Sequence, residues 1–160
     1  MPIEYKNVYW LWLSLAVIVL DQVTKQLVAS GMQVYEVIPL LPFLNLTRMH
    51  NTGAAFSILS GASPLFFVAL GLIVSIGVLV WLRMNRTGER LVAIGLVCIQ
   101  GGALGNVIDR ATRGYVVDFI DFHVAGWHWP AFNVADSAIV IGAGLLMLDM
   151  VLQHKHQEAD

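Results

Sequence analysis

The chain has 160 residues, enough for one compact domain, and carries a net charge of −2 with no basic stripe, which removes nucleic acid as a partner class. Its residues are 58% hydrophobic and 12% charged, about half the charged share of an average soluble domain. A soluble core of this size cannot hide that much apolar surface, whereas lipid can, and the lone Cys98 excludes an internal disulfide. The apolar run that opens the chain after Lys6 has the start of a removable signal peptide. Asp21 and Lys25 follow it directly, without a small-residue cleavage site, so it reads as a retained helix over about 8–28. An outer segment, about 29–63, holds two strand-like runs, 34–38 and 43–47, with Pro39 and Pro42 between them. The second helix, about 64–82, is free of charge, with Pro64 at its start and Arg83 as its stop. The third, about 91–108, ends at Asp109 and Arg110. A second outer segment, about 109–133, carries a strand-like run over 115–124 and a turn at Gly126-Trp127-His128-Trp129-Pro130. The fourth helix, about 134–152, is interrupted only by Asp136 and Asp149. Each helix is close to the ~20 residues that cross a ~30 Å hydrocarbon core.

The expected fold is therefore an all-α integral membrane protein: one domain over 1–160, a four-transmembrane-helix bundle with a small extracytoplasmic β-sheet cap. Tyr9, Trp10, Trp12, Trp81, Trp127 and Trp129 fall near the proposed helix ends, where aromatic belts form. Gly101 with Gly105, and Ala138 with Gly142, are small-xxx-small pairs that let helices approach closely, a packing signal without catalytic meaning. Orientation follows the basic residues of short loops. Segment 83–90 holds Arg83, Arg86 and Arg90, so it is expected in the cytoplasm, and Lys6 and Lys155 put both termini there too. Lys25, Arg48, Arg110 and Arg113 then lie outside.

On this topology Asp21, Lys25, Asp109, Arg110, Asp118, Asp121 and Asp136 gather at the outer ends of the helices, and Asp149 falls at the other end. Ionisable groups at membrane depth are costly and point to function. Each also has a plainer reading. Asp21 and Lys25 are spaced as a helix-end ion pair. Asp109 and Arg110 can simply stop the third helix. Asn133 with Asp136 has the spacing of a helix cap. Asp118, in the apolar run Val116-Val117-Asp118-Phe119-Ile120, has no capping role. His50, His123, His128, His154 and His156 lack metal-ligand spacing, and no nucleophile elbow or phosphate loop occurs, so no metal or cofactor is expected. Two carboxylates acting on water are the leading chemistry, one ionised and one protonated. The rival from another class is a small proton-linked transporter or channel subunit. It predicts acids near the bilayer midplane and broken helices.

Five motifs then bring a family into view. Asp21-Gln22-Val23-Thr24-Lys25, Asn51-Thr52-Gly53-Ala54-Ala55-Phe56, the run from Gly101 through Asn106 to Asp109 and Arg110, Val116-Val117-Asp118-Phe119 and Phe132-Asn133-Val134-Ala135-Asp136-Ser137 occur in this order. Together the chain resembles the lipoprotein signal peptidases, signal peptidase II, with no departure at a motif position. The resemblance implies a bacterial inner-membrane aspartyl endopeptidase, monomeric and blocked by globomycin. Its substrate would be a prolipoprotein with diacylglycerol on its lipobox cysteine, cut just before that cysteine. The resemblance also implies Asp118 and Asp136 as the catalytic dyad, and Asp21, Lys25, Asn51, Gly53, Asn106, Arg110, Asn133 and Ala135 as residues lining the site. A signal peptide must leave its helix and meet water to be cut, so the dyad belongs at the outer interface among membrane lipid. Asp136, in a helix's first turn, is the member expected to be ionised. The outer segment 29–63 is expected to clasp the substrate from above.

Overall fold

A computed structural model describes residues 5–53, 61–84 and 89–157. A short 3₁₀ helix, Tyr5–Trp10, runs into α1, Leu11–Gly31; α2 is Pro64–Met84, α3 is Arg90–Arg113 and α4 is Val134–Gln157. All four long helices are apolar and long enough to cross a membrane. All four pass the ends expected from hydropathy, α2 by two residues, α1 by three, α3 and α4 by five. The first carries Asp21 and Lys25 as expected and continues past them to Gly31. The third does not stop at Asp109 and Arg110. It runs on to Arg113, where Gly114 adopts the left-handed conformation (φ 80°) and donates its N–H to the Arg110 carbonyl at 3.1 Å. Charge does not end these helices because Asp21, Lys25 and Asp109 find buried partners for one another.

The bundle is built around α3. Thirteen of its residues are buried, against four on α1 and four on α2. The small residues allow this. A Cβ on Gly101 would sit 2.9 Å from the Ser14 carbonyl of α1, and one on Gly95 would sit 2.9 Å from the Gly142 carbonyl of α4. Leu82, Val92, Ala93, Leu96 and Val97 form the core where α2 meets α3. Outward, Leu27, Ile73, Ile76, Val140, Ile141 and Met147 are exposed, as faces that meet lipid rather than water.

A four-stranded antiparallel sheet, order β1-β2-β3-β4, caps one end: β1 is Val37–Leu41, β2 Leu44–Asn51, β3 Val116–Val124 and β4 Trp127–His128. The first strand begins three residues later than alternation predicts, because 33–36 form a turn. There Tyr35 is left-handed (φ 66°), and the Glu36 N–H reaches the Gln33 carbonyl at 3.1 Å. Pro39 does not end the strand, since β1 is an edge and needs no donor on its free side. Ala125 and Gly126 (φ 50° and 83°) make the two-residue turn that joins β3 to β4.

The pairing of β2 with β3 is irregular. Leu46 pairs with Ile120 but Met49 pairs with Asp118, so Thr47 and Arg48 together oppose Phe119. Side chains alternate along a strand, and an inserted residue flips every later one. With a regular register Asn51 would face away from Asp118; the bulge turns it onto the same face. Val117 and Phe119, on the opposite face of β3, pack against Val28 and Met32 at the end of α1.

Candidate active site

The site begins with an ion cluster inside the bundle. Lys25 and Asp21, one turn apart on α1, are fully buried and 2.8 Å apart. The Lys25 ammonium also lies 3.4 Å from Asp109 of α3 and donates to Asn106 Oδ1 at 2.9 Å. Asp109 in turn accepts from Arg113 at 2.9 Å, Gln22 at 3.2 Å and the Val117 N–H at 3.1 Å. Asp21 accepts the Ala135 N–H at 2.9 Å, at the positive end of α4. Two carboxylates and two cations thus cancel, which is the condition for keeping charge out of water. The ion pair is more than a helix-end staple, because it ties α1, α3, α4 and β3 together.

Asn133 and Asp136 form a reciprocal cap. The Asp136 N–H donates to Asn133 Oδ1 at 2.9 Å, and the Asn133 N–H donates to Asp136 Oδ2 at 3.3 Å. The capping reading of Asp136 is therefore correct, and it does not exhaust the residue. Its other oxygen accepts the Asn106 side-chain amide at 2.8 Å. Asp118, on β3, accepts the Asn133 amide at 2.6 Å on one oxygen and the Asn51 amide at 2.9 Å on the other.

Three asparagine amides therefore point NH₂ groups at the two carboxylates, and each has its own oxygen engaged. Asn51 Oδ1 accepts the Gly53 N–H at 2.9 Å, Asn133 Oδ1 accepts the Asp136 N–H, and Asn106 Oδ1 accepts Lys25. An engaged oxygen leaves the amide only its donor end to offer. Burial, with the Asp136 charge beside it, pushes Asp118 up to about 7 despite the two amide bonds.

Both aspartates line a groove of about 1040 Å³ with Asn51, Gly53, Asn106 and Arg110; Phe132, Ile139 and Val140 give it apolar walls. Arg110 donates to the Gly53 carbonyl at 2.6 Å and stands 4.7 Å over the Phe67 ring. Of the residues expected to line the site, Asn51, Gly53, Asn106 and Arg110 do so. Asp21, Lys25, Asn133 and Ala135 are completely enclosed behind it. Ala54, Ala55 and Phe56 of the second motif lie outside the described residues.

A simple helix stop does not describe Asp109, which sits in the middle of the cluster; nothing in the sequence marks Gln22 as its partner, and its pairing with Arg113 was missed. The signal available is spacing: Asp109 and Arg113 are i, i+4. His50, which sequence spacing distinguishes only by its lack of a metal-ligand pattern, flanks the groove. It stacks on Tyr115 at 3.8 Å, and burial, then Arg48 and Arg113, lower its affinity for a proton. Asp121 makes a separate cluster, accepting Asn45 at 2.8 Å and contacting His128 at 2.8 Å.

The family profile described as signal peptidase (SPase) II matches residues 13–152. A lipoprotein signal peptidase of Alteromonas mediterranea is 48% identical over 144 residues, 88% of this chain and 79% of that protein. One from Coxiella burnetii is 49% identical over 146 residues, 89% of this chain and 90% of its own length. Among solved structures, a bacterial membrane enzyme determined by the in meso method at 2.3 Å superposes with a TM-score of 0.83 at 35% identity, covering 89% of this chain and 87% of that one. Four apolar helices, a sheet cap and an interior carboxylate pair thus accompany a match along nearly the whole length, and the chain belongs to the signal peptidase II family.

Proposed function

We propose that this chain removes the signal peptide from diacylglyceryl-modified prolipoproteins, cutting before the lipidated cysteine with water activated by Asp118 and Asp136. The observation that carries the reading is the pair itself: two carboxylates from different elements, held by oriented amides, open on one apolar-walled groove. Charge balance supports a single shared proton. The buried cluster is neutral within itself, and Arg110 offsets one further negative charge, not two. Asp118, raised to about 7, holds the proton, and Asp136, capping α4, is the ionised member.

A water between them loses a proton to Asp136 as its oxygen bonds the scissile carbonyl carbon. Asp118 donates a hydrogen bond to the carbonyl oxygen as charge develops there. Collapse of the tetrahedral species breaks the C–N bond, and the proton gained from water passes to the leaving amine. The groove continues down α4 along Ser137, Ile139, Val140 and Ile141, an apolar path suited to a signal peptide and lipid chains that stay in the bilayer. The topology that fits is both termini in the cytoplasm and the sheet and dyad at the outer interface, in a monomeric enzyme of the inner membrane that globomycin blocks.

The transporter reading expects acids at mid-depth. Here Asp21, Asp109, Asp118 and Asp136 gather at one end of the bundle. The test is to incubate the purified protein with a diacylglyceryl-modified prolipoprotein and follow its mass. Loss of the signal peptide at the lipidated cysteine is expected; an uncut precursor after prolonged incubation sinks the proposal.

A further inference from the structure

Lys25 is enclosed by α1, α3 and the start of α4, with no surface for substrate or water. Two of its three partners, Asp21 and Asp109, account for its charge. The third, Asn106, is neutral, and the ion-pair role does not explain why the ammonium spends a donor on it. A side-chain amide has two orientations of nearly equal shape. In the observed one, oxygen meets ammonium and NH₂ meets the Asp136 carboxylate. Reversing it would put NH₂ against a cation and oxygen against an anion, two repulsions at hydrogen-bond distance inside a low dielectric. Asn133 adds a second donor, 3.4 Å from the same oxygen, on the side of the observed orientation.

We propose that Lys25 is a positioning residue for the reaction: by engaging Asn106 Oδ1 it fixes that amide so that its NH₂ is presented to Asp136 and holds the carboxylate toward the groove. The proposal rests on Asp118 and Asp136 being the reacting pair. It assigns Lys25 an effect on turnover that passes through one neutral side chain rather than through its ion pairs. The charged groups around this path are Asp21 on α1, Asp109, Arg110 and Arg113 on α3, Asp118 on β3 and Asp136 on α4.

The experiment measures kcat and KM against pH for the full-length enzyme in detergent micelles, cutting a diacylglyceryl-modified prolipoprotein. Wild type and Asp136→Asn come first: if Asp136→Asn cuts normally, the dyad reading itself has failed, separately from the path. Asn106→Leu keeps the branched shape and removes the hydrogen bonds. It is expected to lower kcat about 10²-fold with KM within about twofold. A carboxylate that loses a donor takes up its proton at higher pH, so the acidic limb of the profile should also rise. Lys25→Met should do the same, and the double variant should be no worse than either single one, because both break one path. A double variant whose losses multiply would show that Lys25 acts by charge or stability alone, and overturns the proposal. Should Lys25→Met not fold, with Asp21 and Asp109 left in excess, Lys25→Met with Asp21→Asn restores the balance. Asn106→Leu decides in any case: wild-type kcat and an unmoved acidic limb there end the proposal without any Lys25 variant.

Discussion

Asp118 and Asp121 stand three positions apart on β3 and meet different surroundings. Asp118 faces Asn51, Asn133 and the groove, whereas Asp121 faces Asn45 and His128. Burial raises both, but at Asp121 the bonds from Asn45 and His128, with the histidine charges, outweigh it and hold the carboxyl below its ordinary range. Asp118→Asn and Asp136→Asn should each cost about 10² to 10⁴ in rate or more while the protein still folds. Asp121→Asn should keep most activity, and an inactive Asp121→Asn beside an active Asp118→Asn would reverse the assignment. The pH profile is the second check. If Asp118 must carry the proton, activity falls as pH rises through about 7, where that carboxyl ionises. A profile flat from pH 6 to 9 would contradict it. The strand alternation that separates these two aspartates was legible in the sequence. The tripartite role of Asn133 was not: a cap signal tells what an oxygen accepts, but not where the remaining amide protons go.

At the level of elements, the helices were legible because lipid demands long apolar runs, and their ends were not, because buried partners let α1 and α3 carry charge. The strands were harder still. Alternation located the first half of β2 but neither its run to Asn51 nor its bulge, since nothing in Thr47-Arg48 announces that two residues will oppose one. The bulge nevertheless decides which way Asn51 points. Gly105 tests helix packing and the ion cluster together. A Cβ there would lie 2.6 Å from Asp21 Oδ2 and 3.3 Å from the Ala135 Cβ. Gly105→Ala should therefore displace the Asp21 carboxylate from α4 and destabilise the fold by about 1–3 kcal/mol, read as a lowered unfolding midpoint in micelles. Gly144, on α4 with nothing within 4 Å of its added Cβ, is the control. Gly144→Ala should leave the midpoint unchanged or slightly higher.

For the whole molecule, orientation in the membrane decides whether the groove meets exported precursors. A fluorescent reporter that works only in the cytoplasm should light up when fused at the C-terminus, and an export-dependent phosphatase there should stay silent. The opposite pattern would place Asp118 and Asp136 on the cytoplasmic side and remove the prolipoprotein substrate. The same precursor without its diacylglyceryl group should be cut far more slowly, and equal rates would mean that the lipid is not recognised. The cap of α4 has a consequence for biogenesis. Asn133 cannot accept the Asp136 N–H until the first turn of that helix winds, and with that oxygen engaged its amide offers its donors to Asp118. Asn51 precedes α2, Asn106 lies on α3, and Asp136 is on α4. A ribosome must therefore deliver the chain through the start of α4 before the two carboxylates can face each other. With Asp118 and Asp136 as the proposed reacting pair, activity follows the insertion of α4 rather than accompanying that of the earlier helices.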